Sequence, residues 1–302
     1  MTNMVYEIGI LGRMRMDAHS LNNEGTVGNV TEPRTVILAD GTKTDGISGE
    51  MLKHIHVESL WQLAKVANIN LCEACKIMSP MKADGNSQVT SKKKALDAVK
   101  EALNCVVCDT HGFLVQEPTV NRKSTVEFGW ALGIPEKFYR DIHVHTRVAL
   151  GEKKREKGKE AEVSEQMIYN RPTRSGVYAM VSVFQPWRVG LNEVNYNYEL
   201  DNKNRKERYE LVLDSYKSMM MRLEGAMTTT RLPHFGAFEG VIVTSQKGVP
   251  VPIVSPLIEG YKDQVKKISK GANIKEFGSL SEFLVTMDTL KELVPYRLGV
   301  KE

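Results

Sequence analysis

The stretch that ends at His56 constrains the fold more than any other part of this chain. It opens with IGILGRMRMDA, in which apolar residues fall on alternate positions: Ile8, Ile10, Met14 and Met16. This alternation predicts a β-strand, and Arg13 and Arg15 then share its opposite face. A polar, glycine-bearing loop and a helix start, ISGEMLKHIH, come next. A sheet with an arginine face beside this helix start indicates a surface for a polyanion and not a small-molecule pocket.

Composition limits the kind of protein that this chain can be. Its 302 residues can bury a sizeable core in one decorated domain or in two smaller ones. A net charge of +4 is modest, so binding of nucleic acid requires a local basic face. Aromatic residues make up only 7% of the chain, which favours contacts to a nucleic-acid backbone over extensive base stacking.

The chain has no long apolar run and no apolar signal core at its start, so we predict a cytoplasmic protein without a membrane span. Disulfides are rare in that compartment, and its four cysteines therefore need another explanation.

The order of predicted elements indicates one sheet core with insertions. Strands are predicted at 4–18, 34–39, 125–132, 143–150, 176–185 and 236–246. Helices are predicted at 48–68, 91–106 and 202–224, with a last helix beginning at Ser279. A helical segment, 59–108, carries the cysteines, and a highly charged segment, 151–165, separates two strands. No linker rich in proline or serine divides the chain.

The four cysteines form two pairs with CxxC spacing: Cys72, Cys75, Cys105 and Cys108. Two such pairs in an intracellular chain predict a structural zinc site with four thiolate ligands. Buried free cysteines that never meet are the main alternative, and a redox pair is a further one. A site of four thiolates leaves no open position on the metal, so we expect it to hold the helical segment together and not to catalyse.

The histidines offer weak candidates for chemistry. His143 and His145 share a strand face, but no acidic cluster lies nearby and Arg147 on the same face opposes a metal ion. We therefore expect this group to contact phosphate or ribose. His19 and His54 could form an acid–base pair for RNA cleavage if the fold brings them together.

Six segments occur in the order found in a known family. They are SLNNEGTVGNVTEPRT, ISGEMLKH, CDTHGFL, HVHTRV, QMIYNRPTRSGVYAMVSV and TTTRLPHFGAFEGVIVTS. With these segments the chain resembles CRISPR-associated DevR-type proteins of the RAMP superfamily, over about residues 5–265. These proteins are backbone subunits of type I Cascade surveillance complexes, and the resemblance is to the archaeal-type branch.

The resemblance implies an α+β fold. Its palm would be an RRM-like (ferredoxin-type) antiparallel sheet built from residues 1–58, 109–150 and 176–302. A helical finger, 59–108, and a thumb, 151–175, would be inserted into it.

The resemblance also implies a non-catalytic role in antiviral defence. Several copies would stack head-to-tail along a guide crRNA as a helical oligomer, and the guide would pair with target nucleic acid. Other partners would be further Cascade subunits, including an end-capping RAMP subunit and the large subunit, and a recruited nuclease-helicase.

The RNA-binding positions are carried over from the matching segments. They are Asn22, Asn23, Ser48, Lys53, His54, Arg122, Lys123, His145, Arg147 and Arg231, with Met167 and Ile168 as the wedge that unstacks a base. A guide must be held whatever its sequence, so contacts to phosphate and ribose are expected. Two other functions stay open: an endoribonuclease that processes CRISPR RNA, and a metal-dependent hydrolase built on His143 and His145.

Overall fold

The computed structural model describes residues 3–148, 166–225, 227–246, 248–269 and 271–299. The strands in this part of the chain are β1 (Met4–Val5), β2 (Glu7–His19), β3 (Asn23–Val27), β4 (Val30–Pro33), β5 (Thr35–Ile37), β6 (Lys43–Ile47), β7 (Phe113–Val115), β8 (Val120–Arg122), β9 (Val126–Phe128), β10 (Ala131–Val148), β11 (Gln166–Phe184), β12 (Leu191–Asn192), β13 (Asn197–Tyr198), β14 (His234–Ser245), β15 (Asn273–Phe277) and β16 (Val294–Pro295). The α-helices are α1 (Gly49–Val66), α2 (Glu73–Lys76), α3 (Ser87–Thr90), α4 (Ala95–Ala102), α5 (Val106–His111), α6 (Asn202–Met221), α7 (Tyr261–Ile268) and α8 (Leu280–Leu290). Among the described residues, no helix is both long enough and apolar enough to span a bilayer.

A large sheet runs through the molecule in the strand order β15-β14-β2-β11-β10-β6-β5. Among β14, β2, β11 and β10, each strand is antiparallel to the strand beside it. Helix α1 lies in the chain between β2 and β10, and α6 lies between β11 and β14. The predicted combination of helices with an antiparallel sheet is therefore confirmed.

The first long strand, β2, has the predicted apolar face but not the predicted open arginine face. Ile8, Ile10, Met14 and Met16 are at most 1% exposed. On the other face, Arg13 donates through Nε to the Pro256 carbonyl (2.8 Å) and pairs with Glu259 (3.1 Å). Only Arg15 remains exposed. The prediction of a free arginine face is wrong because a distant segment of the chain covers half of it.

Helix α1 begins and packs as its sequence predicts. The Ser48 hydroxyl accepts a hydrogen bond from the Met51 N–H (3.2 Å) and caps the first turn. Leu52, Ile55 and Leu60 are buried against the sheet. The helix continues to Val66, close to its predicted end at 68.

The later helices differ in how well the sequence predicts them. Helices α6 and α8 begin at capped termini, with Asp201 and Ser279 accepting from the backbone three residues on. The helix predicted at 91–106 spans only Ala95–Ala102. Its predicted first turn holds three lysines, whose charges oppose the helix dipole.

Strands β10 and β11 continue past their pairing with β6 and β2 as a long hairpin, and β4 pairs with this part of β11 through Val30 and Asn170. Residues 139–148 pair with residues 166–175 in an unbroken register, and we call this extension the arm. Strand β10 includes the end of the predicted strand 125–132 and most of the predicted strand 143–150. The residues between them are not predicted from the sequence, because an irregularity between Gly133 and Phe138 interrupts the alternation. Residues 151–165, most of the predicted thumb, lie outside the described residues.

Candidate nucleic-acid interface

The loop after β2 and the start of α1 hold each other in place. The Asn22 Oδ1 atom accepts a hydrogen bond from the Ser48 N–H (2.6 Å), and Asn22 adopts a positive φ of 56°. The Ser48 side chain is 1% exposed and is used as the helix cap. The fold brings these two predicted positions together, but the Asn22 side chain binds the Ser48 backbone and the Ser48 side chain binds the Met51 backbone, so both shape the loop.

A third predicted segment meets this loop from the far end of the chain. The Asn23 Nδ2 atom donates to the Ser20 carbonyl (3.1 Å) and lies 3.2 Å from the Met227 sulfur. Met227 precedes the threonine run that ends at Arg231. The loop after β2, the start of α1 and the segment 227–231 therefore form one continuous surface, although they are far apart in sequence.

The outer half of the arm carries a cationic and aromatic cluster. Arg231 donates through Nη2 to the His145 Nε2 atom (2.6 Å), and His145 stacks on Tyr169 with ring centroids 5.4 Å apart. Arg171 lies 4.7 Å above the Tyr169 ring. Partial burial, followed by the charges of Arg231 and Arg171, lowers the pKa of His145, which is then neutral and free to accept the hydrogen bond. The two arginines have no acidic partner among the described residues, so the cluster attracts anions.

Sequence reasoning found His145 and Arg231 but missed Tyr169 and Arg171. The register sets His143 opposite Arg171 and His145 opposite Tyr169, so all four residues share one face of the arm. We call this the basic face of the arm. The pairing of the two strands, once known, would have been enough to identify the missing residues. Arg147 and Met167 are also paired in this register, but their side chains lie outside the described part of the structure.

A second group of predicted residues lies around the exposed side of α1. Lys53 is half-buried, and desolvation together with the neighbouring Lys82 lowers its pKa. His54 pairs with Glu58 (3.2 Å), and the exposed Lys123 pairs with Glu127 (2.5 Å). Within the described ranges, no hydrogen bond or ion pair joins this group to the cluster on the arm.

Arg122 does not belong to the surface, which corrects its assignment as an RNA contact. It is 4% exposed, and its guanidinium binds Asp109 through Nη2–Oδ1 (2.7 Å). It also donates to the carbonyls of Asp109, Leu191 and Arg188. Asp109 is itself fully buried and also pairs with Arg208 (2.7 Å). Every donor of Arg122 that could bind a phosphate is already directed inward.

A buried polar network lies beneath the loop after β2. Asp45 accepts from Arg174 Nη1 (3.0 Å) and from the Tyr178 hydroxyl (2.7 Å), and Tyr178 in turn binds His19 Nε2 (2.8 Å). Burial and the nearby Arg174 lower the pKa of His19 to about 3. His19 is fully buried and bound to Tyr178, whereas His54 is exposed, so the expected acid–base pair does not form.

The four cysteines lie together, as a metal site requires. All four sulfur atoms are within 4.8 Å of one another, and three of the four residues are buried. Cys108 Sγ is 3.9 Å from Cys72 Sγ and 3.7 Å from Cys75 Sγ. Contact with the other thiols, Cys105 first, raises the pKa of Cys108 well above its usual range. The close spacing of the four sulfur atoms lets one ion contact all of them, so the cluster can bind a metal ion, and the alternative of cysteines that never meet is wrong.

The sequence matches one family model over most of its length. Residues 10–266 match the model described as "CRISPR-associated negative auto-regulator DevR/Csa2". The chain belongs to the DevR/Csa2 family. The resemblance found in the sequence segments is thereby confirmed.

One relative agrees with this family by sequence. A protein of Methanocaldococcus jannaschii described as "CRISPR-associated protein Cas7/Cst2/DevR" is 27% identical over 321 residues, which cover 94% of this chain and 97% of the relative. Two solved chains, both titled as CRISPR RNA-guided surveillance complexes, are similar at 12% and 11% identity. They give TM-scores of 0.48 and 0.49, and the matches cover 82% and 94% of this chain and 80% and 98% of theirs.

Proposed function

We propose that this DevR/Csa2-family chain is a non-catalytic subunit that binds guide crRNA as part of a type I Cascade complex. Copies of the chain would line the guide, whose bases remain free to pair with target nucleic acid. An end-capping RAMP subunit, the large subunit and a nuclease-helicase would complete the assembly. The strand order β14-β2-β11-β10, with α1 and α6 as the two crossing helices, supports an RRM-like palm.

The observation that carries the proposal is the cluster of His145, Arg231, Tyr169 and Arg171. It places two arginines without acidic partners in the described residues beside a neutral histidine and an aromatic ring. Such a surface holds phosphate by charge and ribose by hydrogen bonds, without reading base edges. The continuous loop surface of Asn22, Asn23 and 227–231 extends it.

The same cluster weighs against a metal-dependent hydrolase at His143 and His145. His145 already accepts from Arg231, and Arg171 lies directly across the strand pair from His143. A divalent cation bound to these histidines would have to displace Arg231 from His145 and lie beside the positive charge of Arg171. A CRISPR RNA endoribonuclease is the remaining alternative, and a cleavage assay separates it from the proposed scaffold.

The test is binding and cleavage of single-stranded RNA by the purified chain. We expect RNAs of unrelated sequence to bind with similar affinity, and the affinity to fall steeply as salt increases, because phosphate contacts release counterions. We also expect repeat RNA to remain intact in the absence of metal. Affinity that does not depend on salt would contradict binding through phosphate contacts. Discrete RNA cleavage products formed without metal would support the endoribonuclease.

We also propose that the cysteine cluster binds zinc. A tetrahedral site with Zn–S bonds of about 2.3 Å requires sulfur atoms about 3.8 Å apart. The two recorded contacts of Cys108, at 3.7 and 3.9 Å, match that spacing. Cys72, Cys75, Cys105 and Cys108 would be the four ligands, and the ion would hold the inserted segment together without taking part in chemistry.

A further inference from the structure

Lys82 lies beside the cysteine cluster and has no acidic partner among the described residues. It begins a short 3₁₀ turn that packs against α2 and α5, the helices that carry Cys75 and Cys108. Its Nζ atom donates to the carbonyls of His111 (3.1 Å) and Gly112 (3.0 Å), where α5 ends. These two hydrogen bonds place the ammonium group of Lys82 at the end of the helix that carries Cys108.

The backbone of Lys82 shows that its surroundings impose this position. Its φ is positive, at 48°, in the left-handed region that residues with a side chain rarely adopt. Such a conformation costs free energy and persists only where the rest of the structure fixes it. The side chain is therefore directed toward the cluster by packing and hydrogen bonds and not by the local preference of a lysine.

The cysteines supply the negative charge nearest to this lysine. Burial lowers the pKa of Lys82, and the charges of Cys108, Cys75 and Cys105 act in the opposite direction. A partly buried ammonium group costs free energy unless an opposite charge lies nearby. Because no carboxylate pairs with Lys82 in the described part of the chain, thiolates of the cluster are the groups that can balance it.

A cluster that holds a metal ion has the complementary excess of charge. Four thiolates carry twice the negative charge that one zinc ion neutralises, so the filled site is an anion. Three of the four cysteines are buried, and water therefore screens this excess poorly. The filled site and the charge of Lys82 stabilise each other.

We propose that Lys82 is a positioning residue for the metal site, whose positive charge raises the affinity of the four cysteines for a divalent metal ion. The proposal deepens the proposed zinc site and rests on it. Lys82 does not bind the ion itself. It acts on the thiolates, whose excess charge it offsets from the end of α5.

Substitutions that separate the charge from the hydrogen bonds test this role. Lys82→Met removes both, Lys82→Gln keeps an N–H donor without the charge, and Lys82→Arg keeps the charge. Lys76→Met is the matched control, because Lys76 follows Cys75 directly but is exposed to water. Competition for Zn²⁺ between the protein and a chromophoric chelator measures the affinity of each variant.

The charge should decide the order of the affinities. We expect Lys82→Met and Lys82→Gln to bind zinc about 10- to 100-fold more weakly than wild type, as other residues that support metal ligands do when replaced. Lys82→Arg should lie closer to wild type than to Lys82→Gln, and the control should stay within about twofold of wild type. A glutamine variant that binds zinc as tightly as wild type, or an arginine variant no better than glutamine, would overturn the proposal.

The absorption spectrum of bound Co²⁺ checks the ligand set, because its bands depend on how many thiolates hold the ion. Wild type and Lys82→Gln should give the same spectrum. Loss of thiolate ligation in Lys82→Gln would overturn the proposal, because the lysine would then be needed to place a ligand. A wild-type chain that binds neither Zn²⁺ nor Co²⁺ would instead contradict the proposed zinc site itself.

Thermal unfolding separates an effect on metal binding from damage to the fold. Without metal, Lys82→Gln should melt at no lower temperature than wild type, because it removes a charge that lacks a partner. At a limiting concentration of Zn²⁺ it should melt at a lower temperature, since a ligand stabilises a protein according to its affinity. An equal loss of stability with and without metal would contradict the proposed role of the charge.

Discussion

Arg231 and His145 are 86 positions apart in sequence and meet at 2.6 Å. The family segments predict both residues but not their contact, because it depends on how the segment 227–231 lies against the arm. A neutral His145 accepts one donor of Arg231, and the remaining donors and the charge are left for a phosphate. For this pair, the structure supplies what the sequence does not, namely the contact between the two side chains.

Replacing Arg231 should weaken RNA binding by removing one phosphate contact. Arg231→Ala should lower the affinity for all single-stranded RNAs alike, and the slope of log affinity against log salt should decrease by about 0.7. Arg222→Ala is the matched control, because Arg222 is exposed and paired with Glu224 (2.8 Å). Filter binding across a salt series measures both slopes. An unchanged slope for Arg231→Ala would remove this residue from the interface.

Arg122 and Lys123 are neighbours in sequence with opposite expected roles. Arg122→Ala leaves Asp109 buried with one partner fewer, which should cost about 3 to 5 kcal/mol of unfolding free energy. Lys123 is exposed, so Lys123→Ala should change the unfolding free energy by no more than about 0.5 kcal/mol. Urea unfolding measures the difference. A stable Arg122→Ala protein with weaker RNA binding would restore Arg122 to the interface.

At the scale of elements, the sequence predicts those whose signals are local. Helices α1, α6 and α8 carry a cap and an apolar period, and the structure contains all three. The arm carries charged residues and Pro172, and it is recognisable only once the pairing of β10 with β11 is known. The partners that hold Arg13 and Arg122 are likewise remote in sequence. From the sequence alone, both side chains are therefore predicted to be exposed.

The inserted segment is built from helices too short to be stable alone. Helices α2 and α3 have four residues each and α5 has six. A metal ion that ties Cys72 and Cys75 to Cys105 and Cys108 would supply the missing stability.

Metal analysis and removal test this element. We expect about one zinc per chain, lost in Cys72→Ser and retained in His145→Ala. A chelator should lower the melting temperature and increase hydrogen exchange in α2, α3 and α5 before it affects α6. Metal-free protein with unchanged exchange in these helices would contradict a structural metal.

At the scale of the whole molecule, three buried histidines link stability to pH. Burial lowers the pKa of His19 and of His56 to about 3, and it lowers that of His111 well below the ordinary 6.5. These residues stay neutral in the folded chain but protonate in the unfolded chain below pH 6.5. Their contribution to stability is therefore complete above pH 6.5 and is lost as pH falls toward 3.

Urea unfolding at a series of pH values measures this dependence. The unfolding free energy should decrease by about 1.4 kcal/mol per pH unit for each such histidine once the pH is well below 6.5. His56→Gln should reduce the slope relative to wild type, whatever its effect on stability at neutral pH. A free energy that stays constant from pH 6.5 to 4.5 would contradict neutral burial of these side chains.

Strand β11 runs unbroken from the outer end of the arm to the centre of the sheet. The ten residues of the arm on this strand give it a length of about 33 Å, fixed by backbone geometry. Removing one residue from each strand of the hairpin would exchange its two sides along the outer part. Removing two from each would keep every side chain on its side and shorten the reach by about 7 Å. The arm can therefore keep its side chains on the same sides only if its length changes in steps of two residues.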